Sequence, residues 1–144
     1  MVDPRPEFEL AVRAMAGTRI DPEGLPWETR EDPPPATGIR TRWRLIFSRP
    51  RTPGTSAMCM GLAEFPPGAV LPLHHHAPAE IYHVLAGEGR TEVEGEPHRL
   101  RPGVSLFIPA NARHRTTNTG AGPLRFLFVF PTDSFEEIAY HFDE

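Results

Sequence analysis

The hydrophobic pattern changes character near residue 41. Beyond it, apolar residues come in short runs or in alternation with polar ones, and each run is closed by a turn signal. This texture predicts strands over Arg42–Phe47, Ala57–Phe65, Glu80–Ala86, Arg90–Val93, Pro97–Leu100, Ser105–Ile108, His114–Asn118, Leu124–Phe130 and Glu137–Phe142. Pro50, Pro53-Gly54, Pro66-Pro67-Gly68, Gly87, Gly95, Pro102-Gly103, Pro109 and Gly120–Pro123 fall between them. Many short strands at close intervals indicate an all-β sandwich or barrel. Within Ala57–Phe65, the alternation of Met58, Met60 and Leu62 with Cys59 and Gly61 is read as a methionine face lining the barrel. Cys59 would then point away from it.

Residues 1–40 differ. A helix is expected over Glu7–Ala16, ended by Gly17. Asp21-Pro22, Leu25-Pro26-Trp27 and the run Pro33-Pro34-Pro35 follow. Proline removes the donor a central strand needs, so this segment is read as an arm packed across the barrel or a neighbouring subunit, with a disordered tail as the alternative for residues 1–20. Ile20 and Trp27 argue that its later part is docked. The chain thus divides into an N-terminal arm, 1–40, and a single barrel domain, 41–144.

Composition narrows the function. The chain has 144 residues, enough for one domain with a core, and a net charge of −4. That balance offers no basic stripe for nucleic acid and no polybasic membrane patch. No apolar run approaches the ~20 residues of a membrane span, and the N-terminus lacks a signal-peptide pattern. One cysteine agrees with a reducing compartment, so a cytoplasmic location is expected.

The chemistry concentrates in residues 68–87. Residues two apart in a strand share a face, so His74 and His76 point one way and His75 the other. Glu80 opens the next strand and shares its face with Tyr82, while His83 faces away. His114 begins a later strand. If the sheet curls so that these faces meet, His74, His76, Glu80 and His114 converge. Three imidazoles and a carboxylate suit one divalent transition metal (Fe, Mn, Ni, Co, Cu or Zn) better than Ca or Mg. They would leave about two positions of an octahedral ion open. Tyr82 would place its phenol beside that ion. It is either an aromatic filling the barrel or a general base, its pKa lowered from ~10 by the cation. His83, His98 and His141 carry no assigned role. Trp43, Phe126, Phe128 and Phe130 could offer π faces to a cation or form ordinary core. Arg42, Arg44 and Arg49 could meet an acidic substrate group or line an exposed or dimer face. Arg113 and Arg115 would point away from the metal.

Residues 68–87 follow Gly-x5-His-x-His-x3-Glu-x6-Gly at every position, and residues 103–118 follow Gly-x5-Pro-x-Gly-x2-His-x3-Asn with Asn111 in place of the second glycine. These two blocks resemble the first and second motifs of the cupin superfamily. The resemblance implies a jelly-roll-like double-stranded β-helix barrel and a metal held by His74, His76, Glu80 and His114. Asparagine tolerates positive φ, so the turn at Asn111 should survive. The segment from His76 through Glu80 and Tyr82 to Gly87 also resembles the first motif of the cupin-type dimethylsulfoniopropionate (DMSP) lyases. That similarity implies a β-elimination with Tyr82 as base. The expected function is a metal-dependent enzyme acting on a small organic acid, a carboxylate, by lyase or isomerase chemistry. The alternatives are an Fe(II)-dependent dioxygenase and a non-enzymatic small-molecule-binding domain. The arm and the strand edges, which need cover, also point to a homodimer.

Overall fold

The computed structural model describes residues 15–31 and 33–144. The helix expected over Glu7–Ala16 lies outside the described residues except for its last two positions. Ten strands follow: β1 (Arg42–Phe47), β2 (Cys59–Phe65), β3 (Val70–His75), β4 (Glu80–Ala86), β5 (Gly89–Val93), β6 (Glu96–Leu100), β7 (Ser105–Ile108), β8 (His114–Asn118), β9 (Leu124–Phe130) and β10 (His141–Phe142). They form two antiparallel five-stranded sheets, ordered β1-β2-β9-β4-β7 and β10-β3-β8-β5-β6. The inner faces of the two sheets enclose the core, as the expected jelly-roll barrel requires.

The register explains which residues meet inside. Trp43, Ala63, Phe126 and Val84 form one cross-strand row of the first sheet, and Leu45, Gly61, Phe128, Tyr82 and Leu106 form the next. Gly61 is small for a reason. A Cβ there would run into the ring of Phe128, which lies across the strand. Phe126, Phe128 and Phe130 are all nearly inaccessible to solvent. Each contributes about 1.5–3 kcal/mol of burial free energy, enough to hold polar groups packed beside them out of water.

The opposite face of the same sheet carries charge in register. Arg42, Glu64 and Arg125 stand side by side on β1, β2 and β9. Arg42 donates to Glu64 Oε1 at 2.6 and 2.9 Å, and Arg125 donates to Oε2 at 2.6 Å. Burial would raise the Glu64 carboxyl, but these arginine hydrogen bonds outweigh it and hold its pKa below the ordinary range.

Several expectations need correction. The segment from Val70 to His75 is a full strand and adds β3 to the set expected from the pattern. The last strand is only His141–Phe142, because Phe135–Ile138 forms a turn closed by an Ile138 N–H to Phe135 carbonyl bond of 3.1 Å. Strand β2 starts at Cys59, since Ala57 has φ of 69° and gives its N–H to Asp133. Its faces are also reversed. Cys59, Ala63 and Phe65 belong to the core, whereas Met58 is exposed and Met60 lies on the outer row with Val129, Ile81 and Phe107. That outer row is apolar too, so alternation alone could not choose the inner face.

The arm is docked by one antiparallel bridge. Glu28 and Trp43 exchange both backbone hydrogen bonds, at 2.8 and 3.0 Å. Trp27 lies beneath the guanidinium groups of Arg42 and Arg44, 3.9 and 4.2 Å from its ring centroid. Among the described residues no helix is long and apolar enough to cross a membrane.

Gly87 closes β4 with φ of +85°, and a Cβ there would collide with the Pro123 carbonyl. Gly87→Ala should therefore cost at least ~2 kcal/mol, combining left-handed strain with a backbone clash. Urea unfolding of the variant against the wild type measures it.

Candidate metal centre

Strands β3 and β8 are neighbours, with His74 directly opposite His114. His76 lies just past the end of β3. Its carbonyl accepts the N–H of Asn111 at 2.9 Å, and Asn111 has the positive φ, 62°, expected where the second motif lacks its glycine. Glu80, the first residue of β4, comes from the opposite sheet. The structure brings these four together. One ring nitrogen from each of His74, His76 and His114 lies within 4.8 Å of the others. Glu80 Oε1 lies 3.2 Å from His76 Nε2 and 3.4 Å from His114 Nε2. All four side chains are buried.

The local backbone fixes how the histidines face. His74 Nδ1 donates to the Pro72 carbonyl at 2.8 Å, His76 Nδ1 to the Pro78 carbonyl at 2.9 Å and His114 Nδ1 to the Ala112 carbonyl at 2.9 Å. A carbonyl can only accept, so each Nδ1 carries the proton and each neutral ring turns an Nε2 lone pair inward. Nε2 of His74 and of His114 is buried without a hydrogen-bond partner. Lone pairs directed at one another and at a carboxylate oxygen repel unless a proton or a cation lies between them. The donor set therefore fits a divalent metal on physical grounds, and borderline imidazole donors favour the transition series. The three carbonyls are the outer partners that such rings need to hold a metal.

Charge states agree. Burial, reinforced by the neighbouring imidazole of His114, pushes His74 down to about 2, so it is a neutral donor at any ordinary pH. Burial opposes charging His76 as well, but the hydrogen bond and charge of Glu80 override it and its pKa is raised.

Above Glu80 opens a cavity lined by Glu80, Tyr82, Tyr140, Trp43, Phe128 and Phe135, with Arg30 at its rim. Tyr82 shares the face of Glu80, as its spacing predicts, and is 1 % exposed. Its hydroxyl accepts from Thr116 at 3.5 Å, and Thr116 is in turn paired with Thr91 at 2.9 Å. Burial first, and the Glu80 charge second, raise the Tyr82 phenol well above its ordinary value.

Tyr140 escaped the sequence analysis. Its ring stacks on His74 with centroids 5.1 Å apart and planes 10° from parallel. It sits immediately before β10, whose Phe142 pairs with His74 across the sheet. The one available signal was that the chain has only two tyrosines, and Tyr140 is the second. The bystanders fall as expected. His75 donates to Asp143 at 2.9 Å, and His83 is hydrogen-bonded to Ser105 at 2.8 Å on the outer face. Arg113 pairs with Glu94, and Arg115 with Glu92 and Glu144. Trp43 packs on Phe135 at the cavity wall, while Arg49 stays outside near Asp133.

The two-sheet barrel and the buried histidine cluster define a class, and comparison with known proteins agrees. Residues 61–130 match the cupin domain family, and the chain belongs to the cupin superfamily. It is 42 % identical over 129 residues to dimethylsulfoniopropionate lyase DddW of Ruegeria pomeroyi, an alignment covering 85 % of this chain and 78 % of that one. Among solved structures, the polyketide cyclase RemF of Streptomyces resistomycificus superposes with a TM-score of 0.73 at 20 % identity, covering 88 % of this chain and 85 % of RemF. A chain from the crystal structures of the DMSP lyases RdDddP and RnDddQII superposes with a TM-score of 0.67 at 19 % identity, covering 83 % of this chain and 63 % of its own. At those identities the superpositions speak for the fold alone.

Metal and proton compete at His76. Because its pKa is raised above 6.5, metal binding must expel its proton in the window just above that value. Apparent affinity should then rise by about tenfold per pH unit below the His76 pKa and level off above it. In the metal-free protein the same proton stabilises the fold below pH ~6.5, and that stabilisation is lost as pH rises through the folded-state pKa. Competition titrations with a chelating dye between pH ~5.5 and ~8.5 test this, and His76→Gln should remove the His76 share of the slope.

Proposed function

We propose that the chain is a metal-dependent lyase that eliminates a thioether from dimethylsulfoniopropionate. His74, His76, Glu80 and His114 hold the metal and Tyr82 is the base. What carries this is a buried phenol on the same cavity wall as the carboxylate that closes the histidine cluster. The kinship with DddW supplies the substrate.

A divalent metal in this site supplies Lewis-acid chemistry, drawing charge from a bound carboxylate and making the α-proton acidic. The chain's residues supply the rest. Tyr82, as phenolate, takes the α-proton at its oxygen. The released electron pair forms the carbon–carbon double bond, the carbon–sulfur bond breaks, and its electrons leave with neutral dimethyl sulfide. Acrylate remains. In the bare protein burial and the charge of Glu80 both hold Tyr82 protonated. A cation held by Glu80 would offset the second of these and pull the phenol pKa down, against the burial that remains. The Thr116 hydroxyl fixes the phenol oxygen in place. Trp43, Phe128 and Phe135 offer ring faces that attract a sulfonium and exclude water.

Two copies of the chain pair through the outer face of the first sheet, where Met60, Val129, Ile81 and Phe107 form a continuous apolar row and Phe107 is 62 % exposed. Sedimentation at micromolar concentration should give a dimer, and Phe107→Glu a monomer. A monomeric wild type would refute the pairing.

The activity test is release of dimethyl sulfide into the headspace from metal-loaded protein. Tyr82→Phe should lower kcat by about 10²–10⁴-fold with metal content unchanged, the usual contribution of a positioned base. Tyr140→Phe keeps its ring on His74 and should cost far less. An undiminished Tyr82→Phe enzyme would exclude the phenolate, and a wild type that consumes oxygen without releasing dimethyl sulfide would point to an oxygenase.

A further inference from the structure

Arg30 is one of the basic residues that the sequence pattern did not single out. It stands on the docked arm, two residues beyond the Glu28–Trp43 bridge, and its backbone carbonyl is held by Arg40 Nη1 at 3.2 Å. Its guanidinium lies over the rings of Tyr140 and Phe142, 4.6 and 5.1 Å from their centroids, and lines the cavity rim. Stacking occupies the flat face of a guanidinium and leaves the N–H donors around its edge, in the plane that suits a carboxylate. Of the other arginines near the arm, Arg40 pairs with Glu31, Arg42 with Glu64 and Arg51 with Glu28, while Arg44 lies over Trp27 and does not line the cavity. Among the described residues Arg30 has no such acidic partner.

We infer that Arg30 is a specificity-determining residue that engages the carboxylate of the substrate at the cavity mouth. Arg30 lies over Tyr140, which stacks on His74, and the same cavity is also lined by the rings of Trp43 and Phe128. In the proposed complex a zwitterion lies with its anionic end on Arg30 and its cationic end against the rings of Trp43 and Phe128. Arg30 acts by selecting and turning the substrate, and it takes no proton. The choice of a carboxylate substrate rests on the lyase function proposed above.

The test reads binding as well as turnover. Metal-loaded protein is titrated calorimetrically with propionate and, as the uncharged counterpart, with propionamide. Arg30→Met should weaken propionate at least tenfold and leave propionamide, metal content and Tm unchanged. Arg30→Lys should recover part of the loss, since it restores the charge without the planar fork. Equal weakening of both ligands would mark a merely structural role, and unchanged propionate affinity in Arg30→Met, or no propionate binding by the wild type, would overturn the inference. The two proposals separate cleanly. Arg30-dependent propionate binding without dimethyl sulfide release would sink the lyase function and keep Arg30. Dimethyl sulfide release with an unchanged KM in Arg30→Met would do the reverse.

Discussion

Three backbone carbonyls govern the interior of this protein. Those of Pro72, Pro78 and Ala112 take the Nδ1 protons of His74, His76 and His114, so each ring turns its bare nitrogen inward. Glu80 joins them, its Oε1 3.2 Å from His76 Nε2 and 3.4 Å from His114 Nε2. Such a cluster favours a cation between its members, and that makes it a candidate metal site as well as a set of buried polar residues.

The sheets exist, in this sense, to impose that crowding. The imidazoles come from β3, its trailing loop and β8 of one sheet, and the carboxylate from β4 of the other. Neither sheet alone assembles the set. Aromatic packing of β9 joins them, where Phe130 meets the ring of His76 at 5.0 Å, while Phe126 meets Tyr82 at 4.3 Å within the first sheet. Several buried aromatic side chains at about 1.5–3 kcal/mol each outweigh the cost of burying hydrogen-bonded neutral imidazoles.

Much of this was legible in the sequence, and the reasons for the misses are physical. His74 and His76 share a face because a strand has a period of two, and Glu80 and Tyr82 do so for the same reason. Short strands between Gly and Pro breaks gave the barrel. The inner face of β2 was not legible, because the row containing Met60 is as apolar as the row containing Cys59, and periodicity has no sign. The shortened final strand was missed because Ile138, though apolar, is buried from a turn. Tyr140 and Arg30 were missed for another reason. Arg30 belongs to no periodic run or motif, and Tyr140 lay within the strand expected over Glu137–Phe142 with nothing to mark it; each reaches the cavity through tertiary contacts that no local spacing encodes.

The placement of those two residues divides the molecule by task. The match to the cupin domain spans 61–130, which contains every residue of the histidine cluster, Glu80 and Tyr82. Arg30, Trp43, Phe135 and Tyr140 all lie outside it. The shared barrel thus holds the four candidate ligands and Tyr82, while the segments flanking it, where Arg30 and Tyr140 meet at 4.6 Å, add Arg30, Trp43, Phe135 and Tyr140 to the cavity wall. Selectivity in such an architecture can be rewritten at the chain's two ends while the inherited reaction centre stays as it is. Two barrels with the same metal site can then accept different molecules, and their flanking segments are where to look for the reason.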